Sequence, residues 1–243
     1  MRRSLLRWVL AGALLLAVAA WVRFAPSGVL AYLILKPVIV DGFHIVYYNN
    51  VKSTWGDTFW FGAEVLKNPL DLWVFQEIIF ETRPDVIVEA GTFKGGSALY
   101  MAHMLDLLGR GQVVTIDIEE HPGRPVHPRI RYLLGSSTSS EITGKVKSYI
   151  TPQDRVMVVL DSDHHKAHVL QELRLYHRLV TKGNYLIVED TNINGHPVYR
   201  SFGPGPMEAV DEFLQGNSDF LPDRSREKFL VTHNPKGYLR RIR

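Results

Sequence analysis

Residues 86–97 read Val-Ile-Val-Glu-Ala-Gly-Thr-Phe-Lys-Gly-Gly-Ser, and no other stretch restricts the fold so tightly. Arg83-Pro84-Asp85 makes a turn, and the β-branched residues after it favour a strand. Three glycines follow, Gly91, Gly95 and Gly96, and then an apolar-periodic run over 98–108. Strand, glycine loop and helix in that order open a nucleotide-binding α/β domain. Glycine lets backbone approach a ligand closely, and the helix N-terminus behind the loop favours negative charge. The spacing is not G-x-G-x-x-G, and Glu89 stands where a pyrophosphate would lie. A carboxylate there suits a cationic or zwitterionic ligand such as S-adenosylmethionine, which carries an ammonium and a sulfonium. A tight turn with no ligand is the competing reading.

The later strands repeat the pattern. Residues 113–118 read as a strand with Asp117 at its end, about 26 residues after Gly91, where an acid can accept hydrogen bonds from ribose hydroxyls. Residues 130–134 lead into Gly135-Ser136-Ser137, which could lie against an adenine. Residues 155–161 form an apolar run ending in Asp161, and 185–190 form another ending in Glu189-Asp190. Ligands of open α/β sheets bind at the carboxyl ends of strands. Asp161, Glu189 and Asp190 would repel one another there without a cation, and oxygen ligands suit Mg²⁺. The alternative is that these acids cap loops and pair with Arg or Lys. His164 and His165, three and four residues after the first acid, could be bases, metal ligands or solvated helix-start residues, and imidazole's titration near neutral pH suits a base. His168 is expected on the helix surface. The long loop 191–207 leaves the acidic pair directly, and Asn192, His196 and Tyr199 are within its reach of a substrate.

Counting elements gives strands near 86, 113, 131, 156, 185, 229 and 238. The expected fold is α/β: a Rossmann-like, seven-stranded, mostly parallel sheet with helices on both faces and a C-terminal antiparallel hairpin formed by 228–233 and 238–242. Asn68, Pro69 and Asp71 mark the start of a helix ending before Arg83-Pro84.

The start of the chain is different. Arg2, Arg3 and Arg7 precede an uncharged run over 8–22, and a second apolar run, 28–40, is broken by Lys36-Pro37. A cleaved signal peptide, a signal anchor and a hairpin resting on a membrane all fit. Membrane association through 5–40 is expected, including a transmembrane helix, with the catalytic domain on the cytoplasmic side where S-adenosylmethionine is made. The expected division is 1–40 membrane-associating, 41–68 an aromatic arm and 69–243 the α/β domain that would bind S-adenosylmethionine. The arm would be a lid, a self-association surface giving a homo-oligomer, or ordinary aromatic packing. The net charge of +3 comes without a basic stripe, so nucleic-acid binding is unsupported. The absence of cysteine excludes thiolate metal sites and disulfides.

Several stretches carry a family resemblance: Asn68-Pro-Leu-Asp-Leu-Trp with Gln76-Glu-Ile-Ile, Pro84-Asp-Val-Ile-Val-Glu-Ala-Gly-Thr with Gly95-Gly-Ser-Ala, Leu160-Asp-Ser-Asp-His, Tyr185-Leu-Ile-Val-Glu-Asp-Thr, and Gly205-Pro-Met-Glu-Ala-Val with Asn234-Pro-Lys-Gly-Tyr-Leu. From about Trp55 onward the chain resembles the cephalosporin hydroxylase and rhamnosyl O-methyltransferase family of class I methyltransferases. The resemblance implies S-adenosylmethionine near Glu89, Gly91 and Asp117, and Mg²⁺ at Asp161, Glu189 and Asp190. Adding loop neighbours makes the cofactor set Glu89, Gly91, Thr92, Gly95, Ser97, Asp117, Ser137 and Asp161. Related catechol O-methyltransferases place a lysine base three residues past the metal aspartate. His164 occupies that position here, with His165 and Lys166 as alternative bases. The expected activity is metal-assisted O-methylation of a hydroxyl on a small-molecule or glycolipid acceptor, a sugar or natural product. A non-catalytic, membrane-bound scaffold that binds S-adenosylmethionine and a metal-dependent hydroxylase are the alternatives.

Overall fold

The computed structural model describes residues 28–243, together with Gly12, Ala13, Leu16, Ala17 and Ala20. Ten of the fifteen residues of the apolar run over 8–22 therefore lie outside the described residues. The chain falls into two compact units, Met1–Phe43 and His44–Arg243. Helix α1, Gly28–Asn49, crosses that division, so neither unit boundary nor helix end falls at residue 40. Among the described residues no helix is long and apolar enough to cross a membrane, and the expected transmembrane helix has no support there.

In the larger unit a short hairpin, β1 (Phe59–Trp60) and β2 (Ala63–Glu64), precedes helix α2, Pro69–Thr82. Asn68 caps that helix by accepting a hydrogen bond from the Leu70 N–H, and Pro69 fills its first position. The main sheet follows: β3 (Val86–Ala90), β4 (Gln112–Asp117), β5 (Ile130–Leu134), β6 (Val156–Leu160), β7 (Tyr185–Val188), β8 (Phe220–Pro222) and β9 (Tyr238–Arg241). Their spatial order is β5-β4-β3-β6-β7-β9-β8, parallel from β5 to β7, with β9 antiparallel to both its neighbours.

β3, β6 and β7 are buried throughout, as strands covered on both faces should be. Alternate residues feed two cores. Val86, Val88, Ala90, Val158 and Leu160 pack against α4 (Ser140–Ser148), α5 (Lys166–Tyr176) and α6 (Pro206–Gly216). Ile87, Val113, Met157, Val159 and Ile187 pack against α2 and α3 (Gly96–Leu107). The period-2 alternation of strands thus places helices on both faces.

Register then builds the rim. Ala90 pairs with Ile116 and Leu160, and Leu160 pairs with Val188. The next residue on each strand is therefore Gly91, Asp117, Asp161 and Glu189, brought to one edge by the pairing itself.

The expected first strand of the terminal hairpin is corrected. Residues 228–233 form a loop, and β8 at Phe220–Pro222 pairs with β9 instead. Phe229 and Leu230 have φ of 72° and 71°, which a strand cannot contain. The residues after them are held by Asp71 of α2, whose carboxylate accepts from the Thr232 hydroxyl, the His233 N–H at 2.8 Å and the Tyr238 hydroxyl at 2.9 Å.

Candidate active site

The rim opens into a cavity of about 790 Å³, within the usual range for small-molecule sites of roughly 300–1,000 Å³. Gly91 forms its floor with φ of 97°. A Cβ there would meet the Asp161 carbonyl oxygen at 1.8 Å, so only glycine lets the loop cross the end of β6. Of the residues named from the sequence as cofactor contacts, Gly91, Thr92, Ser97, Asp117, Ser137 and Asp161 line this cavity.

Glu89 and Gly95 do not line it. Glu89 is fully buried and accepts hydrogen bonds from Ser97 Oγ at 2.5 Å and Thr115 Oγ1 at 2.6 Å. Burial pushes its carboxyl up to about 7, against the opposing pull of Lys67, Ser97 and Thr115. Glu89 therefore braces the start of α3 from beneath rather than facing a ligand. Gly95 takes φ of 80° at the N-cap of α3, against Pro125 and Tyr132.

Asp117 faces the cavity and pins the glycine loop. Its Oδ2 accepts from the Phe93 N–H at 2.6 Å, its Oδ1 from the Glu119 N–H at 3.0 Å, and Arg124 lies 3.2 Å away. Oδ1 keeps a second lone pair for a hydroxyl donor. Farther along the wall, Ser137 Oγ donates to Glu172 Oε1 at 2.5 Å, and Ser162 Oγ donates to the same oxygen at 2.7 Å. Glu172 is fully buried, and among the described residues its Oε2 has no hydrogen-bond partner. His168, expected on the helix surface, instead lines the cavity 3.3 Å from Glu172, and that contact raises its pKa.

The acidic end centres on a residue that the sequence reading missed. Lys67, between β2 and α2, reaches Asp161 Oδ2 and Glu189 Oε1 at 2.6 Å each while only 4% exposed. Asp190 turns away from this pair. Its φ is 52°, an uncommon conformation for a non-glycine residue, and its N–H donates to Asn234 Oδ1 at 3.0 Å. That turn brings Asp190 Oδ2 to 3.3 Å from His164 Nε2. Ligand atoms of Asp161, His164 and Asp190 all lie within 4.8 Å of one another. Burial first, then Asp161, drives the Glu189 carboxyl well above its ordinary value. Burial also raises Asp190, opposed by His164. Crowded acids with raised pKa values are the electrostatic signature of a site that favours a cation.

Of the three candidate bases, only His164 lines the cavity. His165 pairs with Asp163 at 2.6 Å on the surface, and Lys166 pairs with Glu212 at 2.8 Å. The aromatic arm does contribute. Tyr48 and Trp55, stacked with ring centroids 5.3 Å apart, line the cavity, and Tyr199 and Phe202 line it from the long loop. Of the loop's other expected substrate contacts, Asn192 is buried against His44 and His196 pairs with Glu208.

One further His/Asp group among the described residues, His103, Asp106 and His127, has the composition of an iron-binding triad. Its hydrogen bonds argue otherwise. His103 Nδ1 accepts from the Trp60 indole and His127 Nδ1 accepts from the Arg129 N–H, which leaves the proton of each neutral ring on Nε2. Asp106 is held by Arg129 at 2.6 Å.

A seven-stranded sheet in this order, with a glycine loop after its first strand and an acid ending the second, defines the class I methyltransferase fold. Two solved structures of CmcI share it: the apo form, with a TM-score of 0.60 and 23% identity over 76% of each chain, and the complex with Mg and SAM, with a TM-score of 0.57 and 22% identity over 76% of this chain and 77% of that one. The family described as Rhamnosyl O-methyltransferase/CmcI matches residues 52–242. The rhamnosyl O-methyltransferase of Mycobacterium tuberculosis H37Rv is 36% identical over 218 residues, covering 86% of this chain and 88% of its own. That of Mycobacterium leprae is 36% identical over 207 residues, covering 83% and 90%. The chain belongs to the rhamnosyl O-methyltransferase/CmcI family and is an O-methyltransferase of the S-adenosylmethionine-dependent class.

Proposed function

We propose that this protein methylates a hydroxyl of a sugar-bearing acceptor, with a divalent cation such as Mg²⁺ at the acidic end of the cavity. One observation carries the reading: the loop and acid suited to a methyl donor, Gly91 and Asp117, and the acids suited to a hard cation, Asp161 and Asp190, face one cavity. The names of the curated relatives supply the sugar.

The residues divide the work. Asp117 would accept from ribose hydroxyls, and the N-terminal end of α3, where Gly96 and Ser97 line the cavity, would favour the donor's carboxylate. Asp161 and Asp190 offer oxygen atoms to the cavity, the donor type that Mg²⁺ prefers, so these residues fit the ion; Glu189, expected as a third ligand, is instead paired with Lys67 and lies outside both the cavity lining and the cluster of ligand atoms. When bound, the cation would lower the pKa of the acceptor hydroxyl and fix its oxygen. His164 would take the acceptor's hydroxyl proton as the hydroxyl oxygen bonds the methyl carbon and the carbon–sulfur bond of the donor breaks, and the Asp190 carboxylate beside Nε2 would stabilise the imidazolium. Tyr48, Trp55, Tyr199 and Phe202 keep water from the reacting atoms and offer aromatic faces to the apolar side of a sugar ring. The sulfonium loses its charge as the methyl moves, so alignment in a dry site matters more than charge clamps.

The test is transfer of radiolabelled methyl from S-adenosylmethionine to an alkyl rhamnoside. Transfer should require Mg²⁺ or Mn²⁺, stop with EDTA and fall at least a hundredfold in His164→Ala. Undiminished transfer after complete metal removal would refute the metal-assisted reading.

A further inference from the structure

Lys67 is a cation that the acidic rim carries with it. Its ammonium touches Asp161 and Glu189 at 2.6 Å each and is sealed from solvent. Two carboxylates on one buried amine, with Glu189 itself buried, make this a paired ammonium by contact geometry alone. Its backbone is fixed on both sides. The Lys67 N–H donates to Thr58 Oγ1 at 3.3 Å, and Asn68 caps α2 immediately afterwards. This is a built contact, not a passing surface pair.

The contact divides the acids. Lys67 takes one oxygen each from Asp161 and Glu189. Asp161 also belongs to the Asp161–His164–Asp190 group, whose ligand atoms lie within 4.8 Å. One ammonium and one divalent ion together would neutralise the three carboxylates. The two cations would then share Asp161 and repel each other across it.

We propose that Lys67 is a positioning residue of the metal site, a resident counter-cation that holds Asp161 and Glu189 in place without metal and weakens the hold on a divalent ion. This inference rests on the metal-assisted reading above. Without Lys67 the metal-free rim would be three mutually repelling carboxylates, with Glu189 buried and unpaired. With it, the rim stays assembled and the divalent ion remains exchangeable.

The test is Lys67→Met, which keeps much of the side-chain length and removes the charge. Mn²⁺ binding to the full-length protein, without S-adenosylmethionine, is followed by electron paramagnetic resonance. The Kd for Mn²⁺ should fall at least tenfold, equivalent to about 1.4 kcal/mol. The metal-free Tm should also drop and recover at saturating Mn²⁺. A Kd unchanged within twofold, or a weaker one, overturns the inference. If the wild type binds Mn²⁺ and the variant binds it equally, only the role of Lys67 fails. If neither binds, the metal-assisted reading fails with it. Should the variant not fold, ¹⁵N-lysine spectra of the wild type decide. The slowly exchanging Lys67 ammonium should shift on Mg²⁺ titration and saturate with the ion. A resonance that stays fixed while Mg²⁺ binds overturns the inference.

Discussion

Glu208 ties down the loop that supplies Tyr199 and Phe202 to the cavity. It sits in the first turn of α6, where the helix dipole favours an anion. Its Oε2 accepts from the Gly205 N–H at 2.6 Å, while its Oε1 accepts from Asn194 Nδ2 at 3.1 Å and lies 2.8 Å from His196 Nε2. Desolvation alone would raise its pKa, but these three partners pull it down to about 2 from 4.5. A neutral isostere mimics the protonated acid, so Glu208→Gln should lose what ionisation contributes. The shift converts to about 3 kcal/mol before screening. Partial exposure of the side chain reduces this to about 1–2 kcal/mol. The sign follows from the depressed pKa. The contribution is complete above 4.5 and is lost as pH falls toward 2, so roughly two fifths of it should be gone by pH 3.5. Urea unfolding of wild type and variant at pH 7 and pH 3.5 measures both quantities. Hydrogen exchange over 192–205 should rise in the variant at pH 7. Equal stability at pH 7, or a difference that does not shrink at pH 3.5, refutes the reasoning.

The floor of the cavity gives a steric prediction: Gly91→Ala should cost about 2–4 kcal/mol in urea unfolding, because it combines a φ of 97° with a Cβ placed 1.8 Å from the Asp161 carbonyl oxygen. Asp117→Ala should weaken S-adenosylmethionine binding at least tenfold by calorimetry and leave Mn²⁺ binding unchanged; retained affinity would remove Asp117 from the ribose role. Burial pushes the Asp71 carboxyl up to about 6, against hydrogen bonds from Thr232, His233 and Tyr238. The stability tied to its raised pKa is present below 3.8 and is lost as pH rises through 6. Asp71→Asn should therefore compare less unfavourably with wild type at pH 8 than at pH 4.5 in thermal unfolding, and a pH-independent difference would contradict this.

What the sequence revealed and what it hid follow from the range of the interactions. The strands from Val86 to Val188 were legible because their hydrophobic runs are local and their ends carry glycine or acid. The β8–β9 pair was misplaced because residues 228–233 look apolar enough for a strand. Their backbone is decided instead by the buried Asp71, more than 150 residues earlier in the chain. Glu89 was correctly seen as a strand-end acid, but its direction depends on Ser97 and Thr115, which only the register brings together. Lys67 was invisible for a stronger reason. Its spacings to Asp161 and Glu189 are 94 and 122 residues, and no local pattern distinguishes it from a solvated lysine before a helix cap.

The position of Lys67 changes what three aligned acids mean. Strand pairing delivers Asp161 and Glu189 to the same rim whatever the ligand, because Leu160 and Val188 are in register. Pairing therefore explains their proximity without a cation. Two further features belong to the site itself. Asp190 is turned into the left-handed region and held there by Asn234, which separates its carboxylate from Glu189 and sets it beside His164. Lys67 draws Glu189 and Asp161 toward its own ammonium. The lysine matches the pairing that the loop-capping alternative expected for Asp161 and Glu189, but that alternative does not call for a strained aspartate set beside a histidine. Together they sort the acids by task, one pair around the ammonium and one aspartate beside the base. Asp161, present in both groups, is the residue through which the state of one is felt by the other.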